Sequence, residues 1–482
     1  MTLVASSFRD PAGKCFVLPN GVYRFLDKES ARICQSFLES KCARDFVSRS
    51  QLISTRRLEP AEVALLQNHN DSKALFAAHA GETVLEHARI PFISYPYEWP
   101  PEMLWEAARL TLELARSALI EGYGLKDATP YNVLYRAAEP VFVDVPSFEW
   151  RDAANPVWLA QGQFVRTFLL PLLANQRWRL PLADIFMNHR DGLEPEEVYR
   201  WCGIFERFQP KVFSLVSMPT WLKGKAQAKG SRLYESRRVD NREKAQFILA
   251  SLLKRTERTL ESLRPRCRAG SGWSSYMETH SYSEPAFAEK EKFVDEALHE
   301  TNPKRVLDIG ANTGHFSMRA AKAGAEVVAT DLDPVCVGRI WQQTRKEKLN
   351  VLPLVVNLAR PTPALGWRND ECASFLDRSR GGFDCVLMLA VIHHLLVSER
   401  IPLGEVFRLA SELTTESLVI EFVGPQDEMF RQLTRGREAL HAGLNEKKFE
   451  EACSPYFDVV RSLSLAGKAR WMYFLKKKGR NI

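Results

Sequence analysis

Two acids and two glycines stand where they can grip a ligand. In VLDIGANTGHFS (306–317) an apolar run ends in Asp308 and Gly310, and Gly314 precedes the next stretch. Glycine has no Cβ, so its backbone can approach a bound molecule closely. The carboxyl end of a buried strand is also where open α/β sheets take their ligands. Asp331 closes a second apolar run, EVVATD (326–331), 17 residues after Gly314. A carboxylate at a strand tip can accept hydrogen bonds from two neighbouring hydroxyls at once. Asp333 reads as the cap of a helix opening at Pro334. The phosphate-cradling fingerprint G-x-G-x-x-G is interrupted by Ala311, Asn312 and His315, so a dinucleotide is not the expected ligand. Groups able to take a proton follow two later runs: His393 and His394 in MLAVIHHLL (388–396), and Glu421 in IEFV (420–423).

These residues need a sheet to hold them. RVLDIG (305–310), EVVATD (326–331), VLPLVVN (351–357), FDCVLML (383–389) and SLVIEFV (417–423) are short apolar runs separated mostly by longer amphipathic stretches. That alternation predicts a parallel sheet with right-handed crossovers. The end of the chain differs. YFDVVRSLSL and ARWMYFLKK read as two strands joined by a short turn at Ala466–Gly467, an antiparallel hairpin closing an otherwise parallel sheet.

The form D-x-G-x-x-x-G at Asp308, Gly310 and Gly314, the acid at Asp331 and the closing hairpin together resemble the class I S-adenosylmethionine-dependent methyltransferases over about 200 residues. The resemblance implies a doubly wound, mostly parallel seven-stranded α/β domain from 269 to 482 that takes S-adenosylmethionine as cofactor. Asp308 would orient the methionine end. Gly310 and Gly314, with Asn312 between them in the same loop, would make room for it. Asp331 would hold the ribose hydroxyls, and Asn357, where an Asp is common, would stand near the adenine. The segment WSSYMETHSYSEPAFAEKEKFVDEAL (273–298) resembles the family's lead-in helix, from which Tyr282 and Lys290 would reach the cofactor. The alternative is that Tyr282 packs and Lys290 faces water, as lysine ordinarily does.

Methyl transfer is an in-line displacement at a sulfonium methyl whose leaving group is already good, so alignment can carry much of the rate. A base is needed only for a protonated nucleophile. His393, His394 and Glu421 are the candidates; the alternative for either histidine is packing against the cofactor or a bond to backbone. Adjacent histidines in a strand-to-helix turn diverge and no carboxylate triad accompanies them, so no metal is expected.

The first half carries a fainter signal. In GLKDATPYNVLYRAAEPVFVDVPSF (124–148), Asp127 and Asn132 have the D-x-x-x-x-N spacing of a kinase catalytic loop, and Asp144 ends the next strand as a kinase's metal-binding Asp does. The segment resembles the C-lobe core of a kinase-like α+β fold. It departs from that pattern in lacking a glycine-rich phosphate loop, a strand lysine with a partner Glu, the H-R of the catalytic loop and the glycine after Asp144. The bland alternative is a recognition domain with capped turns. Asp127, Pro130, Asn132, Leu134, Phe142 and Asp144, with VLDIGANTGHFS, NLARPTPALGW (357–367) and VIHHL, make the whole chain similar to bacterial proteins grouped with the nodulation protein NoeA.

Length and composition set the remaining bounds. The 482 residues predict two or three domains, read here as 1–213, a basic connector with a helix over 214–268, and 269–482. The helix is placed at about 242–263 from Phe247, Ile248, Leu252, Leu253 and Leu260 at helical spacing. Nine scattered cysteines without a C-x-x-C pair exclude a disulfide framework and zinc spacing, and favour the cytoplasm. No run approaches the roughly 18 apolar residues of a membrane span. A net charge of +7 permits an anionic partner without requiring one. A methyltransferase for a small molecule, glycan-type signal or protein is therefore expected. RNA is a less favoured acceptor, because KGKAQAKGSRLYESRR (223–238) is short and carries no aromatic interleaving for base stacking. A non-catalytic binding module retaining the fold is the third reading. Neither the acceptor nor the oligomeric state is legible.

Overall fold

The computed structural model describes residues 2–3, 13–18, 21–68, 72–228, 239, 241–266, 284–465 and 469–479. They fall into two units. One is Met1–Arg266 with Leu365–Cys372; the other is Cys267–Ala364 with Ala373–Ile482.

The first unit is α+β. Its strands are β1 Thr2–Leu3, β2 Gly13–Leu18, β3 Gly21–Leu26, β4 Thr55–Arg57 and β5 Thr83–His87. They form one antiparallel sheet in the order β1-β2-β3-β5-β4. Alternation sends Tyr23 and Phe25 of β3 inward, where Phe16, Phe76 and Val84 complete a core. The helix Lys28–Leu38 follows β3, its first turn held by the Asp27 carboxylate, which accepts from the backbone N–H of Glu29 and Ser30.

The 20-residue helix Pro101–Ile120 is buried along most of its length. Four short strands come after it: β6 Tyr123–Leu125, β7 Val133–Arg136, β8 Glu139–Phe142 and β9 Phe148–Trp150. β6 pairs with β9, and β7 with β8. Most of the remainder is helical.

The sequence predicts a connector over 214–268. The structure instead counts it, up to Arg266, in the first unit. The helix is there, as Arg242–Ser262, but Leu249, Leu253 and Leu260 are buried. Trp105 Nε1 donates to the Leu260 carbonyl at 3.0 Å, and Arg116 pairs with Glu257 at 2.7 Å. Phe247 and Ile248, assigned to the same apolar face, are exposed. Of the basic stretch 223–238, residues 229–238 lie outside the described residues. Leu365–Cys372, closed by a bridge between its two ends, also belongs to the first unit, where Arg190 pairs with Glu371.

The second unit is doubly wound. Its strands are β10 Arg305–Ile309, β11 Glu326–Asp331, β12 Val351–Val355, β13 Phe383–Met388, β14 Thr414–Val423, β15 Phe457–Ser464 and β16 Arg470–Lys477. Their order is β12-β11-β10-β13-β14-β16-β15. The first five run parallel, and β16 pairs antiparallel with both β14 and β15. The expected turn at 466–467 lies outside the described residues. Strand order reverses at β10, between β11 and β13, and such a switch point opens a crevice at the carboxyl edge of a parallel sheet. The loops after β10 and β11 carry the glycines and Asp331 to that edge. Among the described residues no helix is long and apolar enough to cross a membrane.

Candidate functional site

The loop after β10 is clamped to β11. The backbone N–H groups of Gly310 and Ala311 both donate to the Thr330 carbonyl, at 2.8 and 2.9 Å. Gly310 has φ +72° and Gly314 φ +82°, the left-handed region that glycine alone enters readily. Each is also crowded. A Cβ on Gly310 would sit 3.0 Å from the Val391 side chain, and one on Gly314 would sit 2.9 Å from Ile340.

Asp331 ties this loop to the strand tip. One carboxylate oxygen accepts from the Asn312 N–H at 2.8 Å and the other from the Asp333 N–H at 2.9 Å. The carboxylate is thereby fixed by backbone, and its oxygens retain capacity to accept further hydrogen bonds. Burial raises the Asp331 carboxyl above its usual range against the pull of those N–H groups. Asp333 caps the helix Pro334–Glu347, accepting from Val335 N at 2.8 Å. Between the two acids Leu332 is 59% exposed, an apolar surface beside Asp331 that no sequence signal had marked.

Asp308 is buried and accepts from Ser317 Oγ at 2.5 Å. Burial pushes its carboxyl up to about 6, with the nearby Asp331 adding to the rise and Ser317 and Lys290 opposing it. Asn357 forms a tight turn, its Oδ1 accepting from Ala359 N at 2.9 Å; that bond leaves the side-chain NH2 to donate elsewhere. Tyr282 lies outside the described residues.

Lys290 neither faces water nor stands alone. On the helix Glu284–Thr301 it is buried and donates to Glu421 Oε2 at 2.7 Å. Arg470, wholly buried on β16, reaches Glu421 Oε1 at 3.3 Å. It also forks onto Asp427, with Nε 2.8 Å and Nη2 3.2 Å from its two oxygens. Two cations and two carboxylates thus compensate one another out of water, the condition a buried charge requires. Burial lowers the pKa of Lys290, while Glu421 supports the charged form.

His393 borders this cluster. It is buried, its Nδ1 has no hydrogen-bond partner, and its ring centroid lies 4.2 Å from that of His394. Burial, then His394 and Arg470, drive its pKa well below the usual histidine value, so the imidazole is neutral. His394 is shifted the same way by burial and Arg470.

In the first unit, the structure draws Asp127, Asn132 and Asp144 into one group. Asn132 Nδ2 donates to the Asp127 carbonyl at 3.2 Å and to Ser147 Oγ at 3.3 Å. Ser147 in turn donates to Asp144. Arg24, in the middle of β3, pairs with Asp144 at 2.7 Å. Burial would raise the Asp144 carboxyl, but Arg24 and Ser147 outweigh it and hold it below the carboxylate range. The sequence shows no strand lysine with a partner Glu; the cation that pairs with Asp144 is Arg24. Among the described residues no group of three or more His, Cys, Asp or Glu side chains could hold a metal ion.

A family model described as a methyltransferase domain matches residues 282–445. The nodulation protein NoeA of Rhizobium meliloti (strain 1021) is 28% identical over 476 residues, covering 98% of this chain and 96% of its own. Among solved structures, the N-methyltransferase NodS of Bradyrhizobium japonicum WM9 is 13% identical and covers 41% of this chain and 99% of its own, with a TM-score of 0.31. The bifunctional kinase-methyltransferase WbdD is 17% identical over 42% of each chain, with a TM-score of 0.31.

Proposed function

We propose, for a chain whose second unit is a class I methyltransferase domain taking S-adenosylmethionine, that it transfers the cofactor's methyl to a hydroxyl or amine of an acceptor that the first unit helps to select. The bond pattern of Asp331 carries this reading. Its two oxygens are held by backbone from the glycine loop and from its own turn, which presets a bidentate acceptor for paired hydroxyls. When bound, the cofactor supplies an electrophilic methyl on a sulfonium.

The chain's own residues do the rest. Asp331 holds the ribose, Asp308 attracts the cofactor's ammonium, Gly310, Asn312 and Gly314 shape the loop, and Asn357 stands toward the base. His393 is the candidate proton acceptor because its Nδ1 is unpartnered; the burial that lowers its pKa also makes it a weaker base than an exposed histidine. Glu421 is committed to Lys290 and Arg470 and serves to hold them.

The order of the first unit's parts follows a protein kinase: a five-stranded antiparallel sheet, a long helix, the Asp127–Asn132 loop, then the β7–β8 hairpin and Asp144. Its Asp144 is engaged by Arg24 and Ser147. We read it as a recognition domain without phosphoryl transfer. The full-length relative is named for nodulation, so a glycan-type signal is the first acceptor to try. The test incubates the pure chain with methyl-labelled cofactor and fractionated extract and asks which fraction takes up label. Incorporation that disappears with Asp331→Ala supports the reading; no incorporation into any fraction counts against it.

A further inference from the structure

The second unit has a pocket of about 460 Å³ that is separate from the cofactor loop, within the range of small-molecule sites. Its lining is largely aliphatic, including Leu396, Leu433 and Leu444, and also contains three cations, Arg400, Arg437 and Lys448. No acidic residue lines it. All three cations are exposed, and among the described residues none of them forms an ion pair with a carboxylate. Elsewhere in this unit the charged side chains are extensively paired: Arg319 with Asp295 and Glu291, Arg380 with Glu412, Lys322 with Glu347. Three unpaired cations around an apolar hollow are the complement of a molecule with an anionic group next to an apolar body.

The walls tie the pocket to the transfer site. One side is formed by Leu396, Val397, Arg400 and Ile401, a segment that begins two residues after His394 and is folded back by bonds from Glu399 N to the His394 carbonyl and from Ile401 N to the Leu395 carbonyl. Another side carries Leu433, on the helix Glu428–Thr434, whose cap Asp427 is the carboxylate gripped by Arg470. Both segments leave the sheet at the carboxyl ends of β13 and β14, the edge that carries the cofactor loop.

We propose that this pocket binds the methyl acceptor and that the acceptor is an anionic amphiphile, its apolar part on the leucines and its negative group among Arg400, Arg437 and Lys448. This rests on the methyltransferase reading and narrows its substrate class. The apolar contacts supply area-dependent affinity, and the three cations supply selection by charge that weakens with salt.

The test uses the full chain and dodecyl phosphate kept monomeric, followed by titration calorimetry. The triple variant R400Q/R437Q/K448Q is compared with the wild type, dodecyl maltoside is the neutral control, and S-adenosylhomocysteine is titrated into every sample. The expected result is saturable dodecyl phosphate binding that weakens with salt and falls roughly tenfold or more in the variant, the scale of losing charge-assisted contacts. Cofactor-product affinity should be unchanged. Equal binding by wild type and variant, preference for the neutral detergent, or no binding while S-adenosylhomocysteine still binds would each overturn the pocket assignment. Failure of S-adenosylhomocysteine to bind the wild type would instead overturn the methyltransferase reading on which it rests.

Discussion

Lys290 Nζ lies 2.7 Å from Glu421 Oε2, with both side chains buried. The pair joins the lead-in helix to β14, and Arg470 extends it to Asp427. Removing one partner leaves a buried charge uncompensated. Lys290→Met is therefore expected to cost about 3–5 kcal/mol of stability, measured by urea denaturation. Adding Glu421→Gln, which removes the stranded charge, should recover part of the loss. A double variant no more stable than Lys290→Met would show that the two side chains do not depend on each other.

The pH dependence of this unit should carry a signature of Asp308. Its folded value is raised to about 6 from an ordinary 3.8. Between those values the folded state holds the proton more tightly than the unfolded state, so stability is favoured at the acid end. It declines as pH rises through this window and is level above it. Cofactor affinity should move the other way, because a protonated Asp308 no longer attracts an ammonium. The comparison is wild type against Asp308→Asn, in stability and in binding, from pH 4.5 to 7.5 at roughly half-unit steps. Identical slopes in the two proteins would contradict the assignment.

His393 should matter to transfer more than to cofactor binding. His393→Ala is expected to lower the transfer rate by about a hundredfold or more, the usual scale of a lost general base, with cofactor affinity nearly unchanged. A variant that transfers at the wild-type rate would mean that alignment alone suffices and that His393 merely packs.

The first unit should not turn over ATP. Magnesium-dependent ATP turnover by the full chain, lost in both Asp127→Ala and Asp144→Ala, would show a working kinase. Without phosphoryl transfer, neither substitution should alter nucleotide turnover above background, and Arg24→Ala should mainly destabilise, by leaving Asp144 without its cation.

The sequence exposed what is local. EVVATD reads as a strand because its apolar run is continuous and ends in an acid, and β11 covers Glu326–Asp331. Asp333 and Pro334 announce a helix start by residue type alone, and the cap is there. Long-range pairing left no trace. Lys290 and Glu421 are 131 residues apart, Arg24 and Asp144 are 120 apart, and nothing in either neighbourhood names the partner. The helix Arg242–Ser262 shows the same limit. Its leucines predicted an apolar face but not what covers it, so a packed element of the first unit read as a connector. Arg470 and Asp427 carry no sequence signal, because an arginine on a strand and a cap before a short helix look ordinary until they meet.

The most direct measurement is calorimetric titration of S-adenosylmethionine into the full chain, the Asp331→Ala variant and the Asp333→Ala variant. Saturable binding to the wild type is expected. Asp331→Ala should weaken it by about 1.5–3 kcal/mol, the worth of hydrogen bonds to a charged group, while Asp333→Ala costs helix stability of about 1 kcal/mol and changes affinity little. Binding to NAD or ATP in place of S-adenosylmethionine, or equal losses at the two aspartates, would contradict the central claim that Asp331 is the ribose-holding acid of a methyltransferase.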